Sequence, residues 1–300
     1  MRLEQLIHLV EVAKYKSISL AAEHNYISQP AISSSISKLE DELGTILLKR
    51  TTQGVYPTEV GETIINKALG ILEEIKEIKQ IANSSILTGH VSVGMIPSMC
   101  NKIIPCVIAD LKLRQPNIEV DLLEEESIDI FQGIQSGKID IGGVILTQEI
   151  QGKDICSEEL FHDEFLIYVG KKSPLAEKKS VSLEEALKYP IVAYNNEFRN
   201  NGGISSILKD YAIPKVSFRF SNFEIIKRVI SEGIAISFFP KFMAKDDAYF
   251  KTGEVIPIYI NDVKLEMTVG LIWSKRFPIS LATKEFIKTL KLTCHNTIVK

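Results

Sequence analysis

Apolar residues recur at three- and four-residue steps along the first part of the chain and predict a group of short helices. Residues 3–15 form the first amphipathic helix, and residues 18–25 form a second, shorter one. A third helix has a proline in its first turn and carries Ile32, Ile36 and Leu39 on a single face. Its other faces are rich in serine. This order of a helix, a short helix, a tight turn and a polar helix indicates a helix-turn-helix.

The polar faces of the third helix and a basic hairpin behind it form the predicted DNA-contacting surface. Short hydroxyl side chains let a helix lie deep in a groove and bond phosphates or base edges, and a glutamine can pair with an adenine edge. The stretch LLKRTTQGVYPTEVG predicts a wing that turns at Gln53-Gly54. The alternative is a solvated helix face on which the serines have no role. The candidate DNA-binding residues are Gln29, Pro30, Ser33, Ser34, Lys38, Lys49 and Arg50.

Residues 1–58 contain six lysines and arginines and six aspartates and glutamates. Because neutralisation of phosphates drives DNA affinity, a single DNA-binding head (residues 1–58) without net charge binds weakly. Two heads are therefore expected to act together. The segment after Thr58 supplies a pairing helix, since its isoleucines and alanines alternate at four and three residues without a proline. A core helix of one monomer shows the same spacing and is the alternative. The predicted pairing residues are Ile64, Ala68, Ile71, Ile75, Ile78 and Ala82.

Strand-like apolar runs alternate with helices after Gly89 and predict parallel sheets that bind ligands at their strand ends. Hydrophobic residues make up 45% and charged residues 24% of the 300 residues, which is an ordinary balance for a globular protein. Four cysteines without metal-like spacing indicate reduced thiols, and no apolar run reaches the roughly 20 residues of a membrane span. We therefore expect a cytoplasmic protein that has no cofactor and no contact with a membrane.

The segment AAEHNYISQPAISSSISKLEDELGTILLKRTTQGVYPTEVGE resembles the winged helix-turn-helix signature of the LysR-type transcriptional regulators. Downstream phrases such as GMIPSMCNKIIP and VISEGIAISFFP are similar to the effector-binding domain of that family, so the resemblance covers essentially the whole chain. It implies an α/β multidomain protein with an N-terminal winged helix-turn-helix, a long linker helix and a C-terminal two-lobed domain like the periplasmic binding proteins. It also implies promoter DNA and a small-molecule effector as partners, and assembly as a homodimer or a dimer of dimers.

The resemblance sets the predicted boundaries and site positions. The head is residues 1–58, the linker 59–89 and the effector-binding domain 90–300, with lobe one at 90–163 and 268–300 and lobe two at 164–267. Gln29, Pro30, Ser33 and Arg50 match the family's pattern. In contrast, Leu20, Ser34 and Ser37 stand at positions that are commonly basic in the family.

Two serines in lobe one, Ser98 and Ser127, each follow a strand at the start of a helix, and helix N-termini favour anions. In lobe two, the loop YNNEFRNNGG brings amides and an arginine towards the same cleft. We interpret this set as the site of a small anionic effector, and both serine positions match effector contacts of the family. The alternatives are simple helix caps, a surface arginine and core phenylalanines. The candidate effector residues are Ser98, Met99, Ser127, Asn195, Phe198 and Arg199.

Three other functions fit the sequence less well. An enzyme is disfavoured because the chain has no GxSxG, no phosphate loop and no metal spacing, and the stretch His162-Asp163-Glu164 is interpreted as a polar turn. A small-molecule-binding protein without a DNA-binding role does not explain the helix-turn-helix. Thiol redox sensing needs two cysteines that can meet, whereas residues 164–267 contain none, and Cys100 and Cys106 face different directions on one helix.

Overall fold

The N-terminal region folds as three helices, a two-stranded hairpin and a long helix. The computed structural model of the chain describes residues 1–52, 54–82, 87–195, 203–208, 211, 214–245 and 247–299, with side chains left out at 73, 76, 77, 80–82, 203, 206 and 299. The N-terminal elements are α1 (Leu3–Tyr15), α2 (Ile18–His24), α3 (Gln29–Leu43), β1 (Leu48–Thr51), β2 (Gly54–Pro57) and α4 (Glu59–Ala82). The hairpin is antiparallel, and its predicted turn residue Gln53 lies outside the described residues.

Helix α3 holds this region together because its apolar face enters two clusters. Ile32 and Ile36 pack in a cluster with Val12 of α1. Leu39 packs in a second cluster that includes Ala68 of α4. Burial of this one face leaves the serine-rich faces of α3 directed away from the core, as the hydrophobic pattern predicts.

The C-terminal region is an α/β domain of two lobes. Lobe one contains β3 (Gly89–Met95), α5 (Pro97–Lys102), α6 (Ile104–Arg114), β4 (Ile118–Glu124), α7 (Ser127–Gln135) and β5 (Ile141–Ile145). A long strand, β6 (Ile155–Gly170), leads into lobe two. Lobe two contains β7 (Ser180–Val181), α8 (Leu183–Ala186), β8 (Ile191–Tyr194), α9 (Gly203–Leu208), β9 (Val216–Phe220), α10 (Phe223–Ser231), β10 (Ser237–Pro240), a 3-10 turn (Lys241–Ala244), α11 (Ala248–Lys251) and β11 (Val255–Ile260). The chain returns through β12 (Glu266–Ser274), α12 (Leu281–Cys294) and a π-helical turn (His295–Val299).

One sheet runs through both lobes, with strand order β4-β3-β5-β12-β6-β11-β7 and β10 also paired to β6. In lobe one, β3 is parallel to β4 and β5, and antiparallel β12 joins them to the first half of β6. The second half of β6 pairs antiparallel with β10 and β11 of lobe two. Parallel strands β8 and β9 form a separate small sheet. The carboxyl ends of β3 and β5 and of β8 therefore border the space between the lobes, where ligands of such sheets bind.

The described residues divide into two compact units, residues 1–87 with 275–281 and residues 88–274 with 282–300. The sequence-based boundaries placed 275–281 in lobe one. In the structure this segment joins the N-terminal unit, where Pro278 lies against α4 at Gly70. Among the described helices, none is both long and apolar enough to cross a lipid bilayer.

Alanine substitutions at two glycines of α4 are predicted to change the stability of the N-terminal unit in opposite directions. A Cβ at Gly61 would lie 2.0 Å from the carbonyl oxygen of Leu47, whereas a Cβ at Gly70 would meet only Pro278 at 3.9 Å. We expect Gly61→Ala to lower the free energy of unfolding of the N-terminal unit by about 1–3 kcal/mol, because backbone cannot move aside easily. Gly70→Ala should raise it by up to about 1 kcal/mol through helix propensity.

Urea unfolding of the full chain, followed by far-ultraviolet circular dichroism, measures both changes. Gly70→Ala is the matched control in the same helix. Equal transition midpoints for the two variants would show that the close approach of Gly61 to the hairpin does not constrain the head.

Candidate functional site

Helix α3 presents a polar surface in which the wing and the helix are joined by hydrogen bonds. Gln29, Pro30, Ser34 and Lys38 are exposed, and Ser33 is half-buried. The Arg50 guanidinium on β1 donates a hydrogen bond to Ser33 Oγ at 2.9 Å. This bond ties the wing to the second turn of α3. It places a cation beside the serine-rich face.

The amide of Gln29 is oriented by its neighbour in the preceding helix. The Ser19 hydroxyl donates to Gln29 Oε1 at 3.1 Å, which leaves the amide N–H groups directed outward. An amide held in this way is prepared to donate to an acceptor on a base edge. Glu40 at the other end of α3 accepts the backbone N–H groups of Leu47 and Leu48 and so holds the start of the wing.

Tyr26 is a residue of this surface that the sequence analysis missed. It lies in the turn before α3, has a left-handed backbone with φ of 54°, and is 96% exposed. A phenol exposed to this degree can donate a hydrogen bond to a phosphate beside the helix. No periodic signal marks such a residue, because it belongs to a turn and contributes nothing to an apolar face.

The predicted pairing residues on α4 fall into two groups. Ala68 is only 1% exposed and packs in the core of the head, so the prediction that it contacts a partner is corrected: it has no surface left to offer. Ile64 is partly buried against the same cluster. Ile71 and Ile78, further along the helix, are exposed. Ile75 is half-buried, and the side chain of Ala82 lies outside the described residues.

The two candidate serines of lobe one line a single cavity between the lobes. Ser98 lies in the first turn of α5, is 7% exposed, and its hydroxyl has no hydrogen-bond partner among the described residues. Ser127 begins α7, and its Oγ accepts the N–H of Ile145 at 3.1 Å. Neither is a helix cap, because Ile96 and Glu126 hold the N-cap positions. The cavity has a volume of about 50 Å³.

Two other predicted effector residues, Met99 and Asn195, do not line this cavity. Met99 is fully buried and packs towards Gly143, so it belongs to the core of lobe one and its assignment is corrected. Asn195 is exposed at the end of β8, does not line the cavity, and uses its backbone N–H to bond Phe220. Phe198 and Arg199 lie outside the described residues.

Lobe two closes the cavity with aromatic side chains, and the sequence analysis did not identify most of them. The rings that line it belong to Phe165, Tyr194, Phe223, Phe238 and Phe239. Tyr194 and Phe223 are stacked with centroids 4.9 Å apart, and Phe223 contacts Phe239 at 5.1 Å. The Tyr194 hydroxyl also donates a hydrogen bond to Glu124 of lobe one, which joins the lobes at the edge of the cavity.

Glu126 is the only charged side chain among the described residues that line this cavity. Its carboxyl has no hydrogen-bond partner among them. Burial raises its pKa to about 7, with further contributions from the carboxylates of Asp129, Glu125 and Glu124. A group with this pKa is a weak acid that exchanges its proton near neutrality. The carboxyl groups give this part of the site a negative potential, which disfavours the anionic effector expected from the sequence.

A second, more open cleft has a volume of about 610 Å³, and its lining includes residues of β6 and β12. The prediction that His162, Asp163 and Glu164 form a polar turn is wrong, because all three lie within β6. His162 Nδ1 lies 2.9 Å from Thr268 Oγ1, and Asp163 accepts the N–H of Phe242 at 2.9 Å. Glu164 pairs with Lys241 at 2.9 Å. Each side chain is thus engaged in holding the strands and the adjoining turn.

Two family models match the chain in succession. The model described as "Bacterial regulatory helix-turn-helix protein, lysR family" matches residues 3–62. The model described as "LysR substrate binding domain" matches residues 85–294, which is more than half of the chain. The first covers the helices and wing of the head, and the second covers both lobes and the cavity between them.

Curated relatives align with nearly the full chain. The hydrogen peroxide-inducible genes activator of Haemophilus influenzae is 25% identical over 282 residues, covering 93% of this chain and 92% of that protein. The DNA-binding transcriptional dual regulator OxyR of Escherichia coli K12 is 25% identical over 296 residues, covering 97% and 95%.

Solved structures share the fold. A full-length OxyR variant from Pseudomonas aeruginosa aligns with a TM-score of 0.70 at 23% identity, covering 100% of this chain and 96% of that chain. Full-length CbnR in complex with its target DNA aligns with a TM-score of 0.53 at 17% identity, covering 98% and 100%. The predicted family and fold class are confirmed by these matches together. The chain belongs to the LysR family of DNA-binding transcriptional regulators, with a helix-turn-helix head and a C-terminal effector-binding domain.

Proposed function

We propose that this regulator binds promoter DNA as a dimer and that a small molecule in the cavity between the lobes changes its action on the promoter. The observation that supports the effector site most strongly is that two polar groups, the Ser98 hydroxyl and the Glu126 carboxyl, line one cavity and bond no other described residue. Both groups are available to a ligand. A ligand that bonds both groups therefore stabilises the arrangement of lobes that it contacts.

The DNA-contacting residues that we propose are Gln29, Pro30, Ser33, Ser34, Lys38, Lys49 and Arg50, with Tyr26 added from the structure. Lys38 and Lys49 are exposed and form no ion pair with another described residue, so their charges are available to phosphates. A dimer places two such heads on the duplex. Two dimers can associate further into the dimer of dimers that the resemblance implies.

We propose that the protein regulates without catalysing a reaction and without a resident cofactor. Its relatives are transcriptional regulators. The one histidine, aspartate and glutamate grouping in the sequence is engaged in strand contacts that leave no nucleophile beside a base. Promoter DNA as the target supports a cytoplasmic location.

Thiol-based peroxide sensing is the second candidate, because several relatives are hydrogen peroxide-inducible activators. The two buried cysteines of this chain, Cys100 and Cys294, do not support it. Residues 164–267 contain no cysteine. Burial raises the pKa of the Cys100 thiol to about 12 and that of Cys294 to about 12, which disfavours the reactive thiolate. A bound effector is therefore the signal that we propose.

Two substitutions on the head separate base readout from phosphate contact. Gln29→Ala should reduce the preference for promoter over random DNA by about 1–3 kcal/mol, because it removes a contact to a base edge. Arg50→Ala should weaken binding to both DNAs about equally and lower the slope of log K against log salt by about 1. Fluorescence anisotropy with both duplexes at several salt concentrations measures these effects. If Gln29→Ala leaves the promoter-to-random ratio unchanged, α3 does not read sequence through this residue.

The exposed isoleucines of α4, Ile71 and Ile78, are predicted to form the dimer contact. Ile71→Lys combined with Ile78→Lys places two charges on the proposed apolar interface, where unpaired charge is strongly unfavourable. Sedimentation velocity should show the dimer replaced by monomer, with a steep loss of promoter affinity. Val60→Lys is the control, because Val60 is exposed on the same helix and is not one of the predicted pairing residues. A dimer that survives the double substitution would remove α4 from the interface.

A further inference from the structure

We propose that the cavity between the lobes takes a small organic cation, an alkylammonium group whose charge lies on Glu126 and whose carbons contact the surrounding aromatic rings. This proposal rests on the proposed function and names the chemical class of its effector. It replaces the anionic effector that the sequence suggests.

The first argument is the charge of the lining. The described residues around the cavity include Glu126 and no lysine, arginine or histidine. Glu124 and Glu125 directly precede it, and Glu124 is bonded to Tyr194 at the edge of the cavity. Glu126 also holds the N-cap position of α7, so the positive end of that helix already has a carboxyl group beside it. A second carboxylate from a ligand would add repulsion in a site of low dielectric.

The second argument is the aromatic wall. Five rings line a cavity that also contains a carboxyl group, and the Phe223 ring lies between Tyr194 and Phe239 with centroid distances of 4.9 and 5.1 Å. A cation near an aromatic face is attracted by the ring quadrupole, and the attraction grows when the site is desolvated. Carboxylate and rings together therefore favour an ammonium group over a neutral group of the same size.

The third argument is the pair of open hydrogen-bonding positions. Ser98 is 7% exposed, and neither its hydroxyl nor the Glu126 carboxyl bonds another described residue. The Ser98 hydroxyl both donates and accepts, whereas an ionised Glu126 only accepts, so an ammonium group can donate to both and a carboxylate ligand can bond only Ser98. A volume of about 50 Å³ has room for the head group of such a ligand. At roughly 10–15 Å³ for each water-sized group, that room is about three to five non-hydrogen atoms.

Three two-carbon probes of matched size test the charge preference: ethylammonium, ethanol and acetate. Ethylammonium is added as its chloride, acetate as its sodium salt and ethanol as the neutral compound, each to the full-length protein at constant ionic strength, and the melting temperature is followed. Ligands that bind only the folded protein raise it. We expect ethylammonium to give a saturable rise and acetate and ethanol to give none.

Glu126→Gln removes the charge and keeps the shape of the side chain. It should weaken ethylammonium binding about tenfold or more, as expected for loss of a hydrogen bond to a charged group. Glu125→Gln is the matched control, because Glu125 is exposed, lies next in sequence and does not line the cavity. It should change the affinity by less than about twofold.

The pH dependence in the wild-type protein tests the same claim without a substitution. Because the pKa of Glu126 is about 7 in the free protein, a cation must displace a proton below that pH. Affinity for ethylammonium should therefore fall about tenfold for each pH unit below 7 and level off above it. The other titratable groups that face Glu126 are the carboxyls of Asp129, Glu125 and Glu124 and the hydroxyl of Tyr194, whose pKa is raised by burial and by its hydrogen bond to Glu124.

Three results would overturn the proposal: no saturable binding of ethylammonium, equal binding of all three probes, or preference for acetate. If acetate binds the wild type and Ser98→Ala loses that binding, the cavity remains the effector site and only the preference for a cation is refuted. Failure of the proposed function itself would be seen separately, as absence of specific promoter binding by the wild-type protein.

Discussion

Strand β6 is continuous through both lobes, and the geometry of the candidate effector site depends on that continuity. Its first half pairs with β12 and its second half with β10 and β11, with the change of partner between Glu164 and Phe165. Because one strand belongs to two sub-sheets, the lobes cannot separate as independent bodies. Hinge motions of two-lobed domains bend the segments that connect the lobes, and β6 is one such segment beside the cavity.

A hydrogen bond joins the two lobes at the edge of the cavity, which suits a site that must respond to a ligand. Tyr194 reaches from lobe two to Glu124 of lobe one, while Ser98 and Glu126 contribute polar groups without partners. A ligand that satisfies those groups adds stability only to the closed arrangement. Its influence on DNA binding is limited to its differential affinity for the two arrangements, typically about 1–3 kcal/mol.

The sequence predicts local structure well wherever an apolar face repeats. Ile32, Ile36 and Leu39 all lie in the core, as the three- and four-residue spacing indicates. The same spacing along α4 could not distinguish a partner helix from the head's own core, and Ala68 belongs to the core because Leu39 and neighbouring residues already surround it. The hydrophobic pattern specifies which face of a helix is apolar. It does not specify whether the core of the head or a partner helix covers that face.

Only some residues of the candidate effector site could be predicted from the sequence, because the others come together only in the tertiary fold. The two serines could be found because strand ends and helix starts are local features. Tyr194, Phe223 and Glu126 meet only through the tertiary fold, and Met99, next to Ser98, turns inward because successive helix positions are about 100° apart. The charge of the site follows from which carboxyl group becomes buried, and burial of a glutamate after a strand has no sequence signature.

The hydrogen bond between the lobes offers the most direct test of whether lobe closure controls the promoter. DNase I footprints of the full-length protein on the DNA upstream of its gene would be compared for wild type, Tyr194→Phe and the exposed control Tyr211→Phe. If closure is coupled to the heads, Tyr194→Phe alone should change the extent of the footprint or its midpoint concentration while affinity for random DNA stays the same. A footprint of Tyr194→Phe that matches wild type in both extent and midpoint would contradict the coupling between the lobes and the DNA-binding heads.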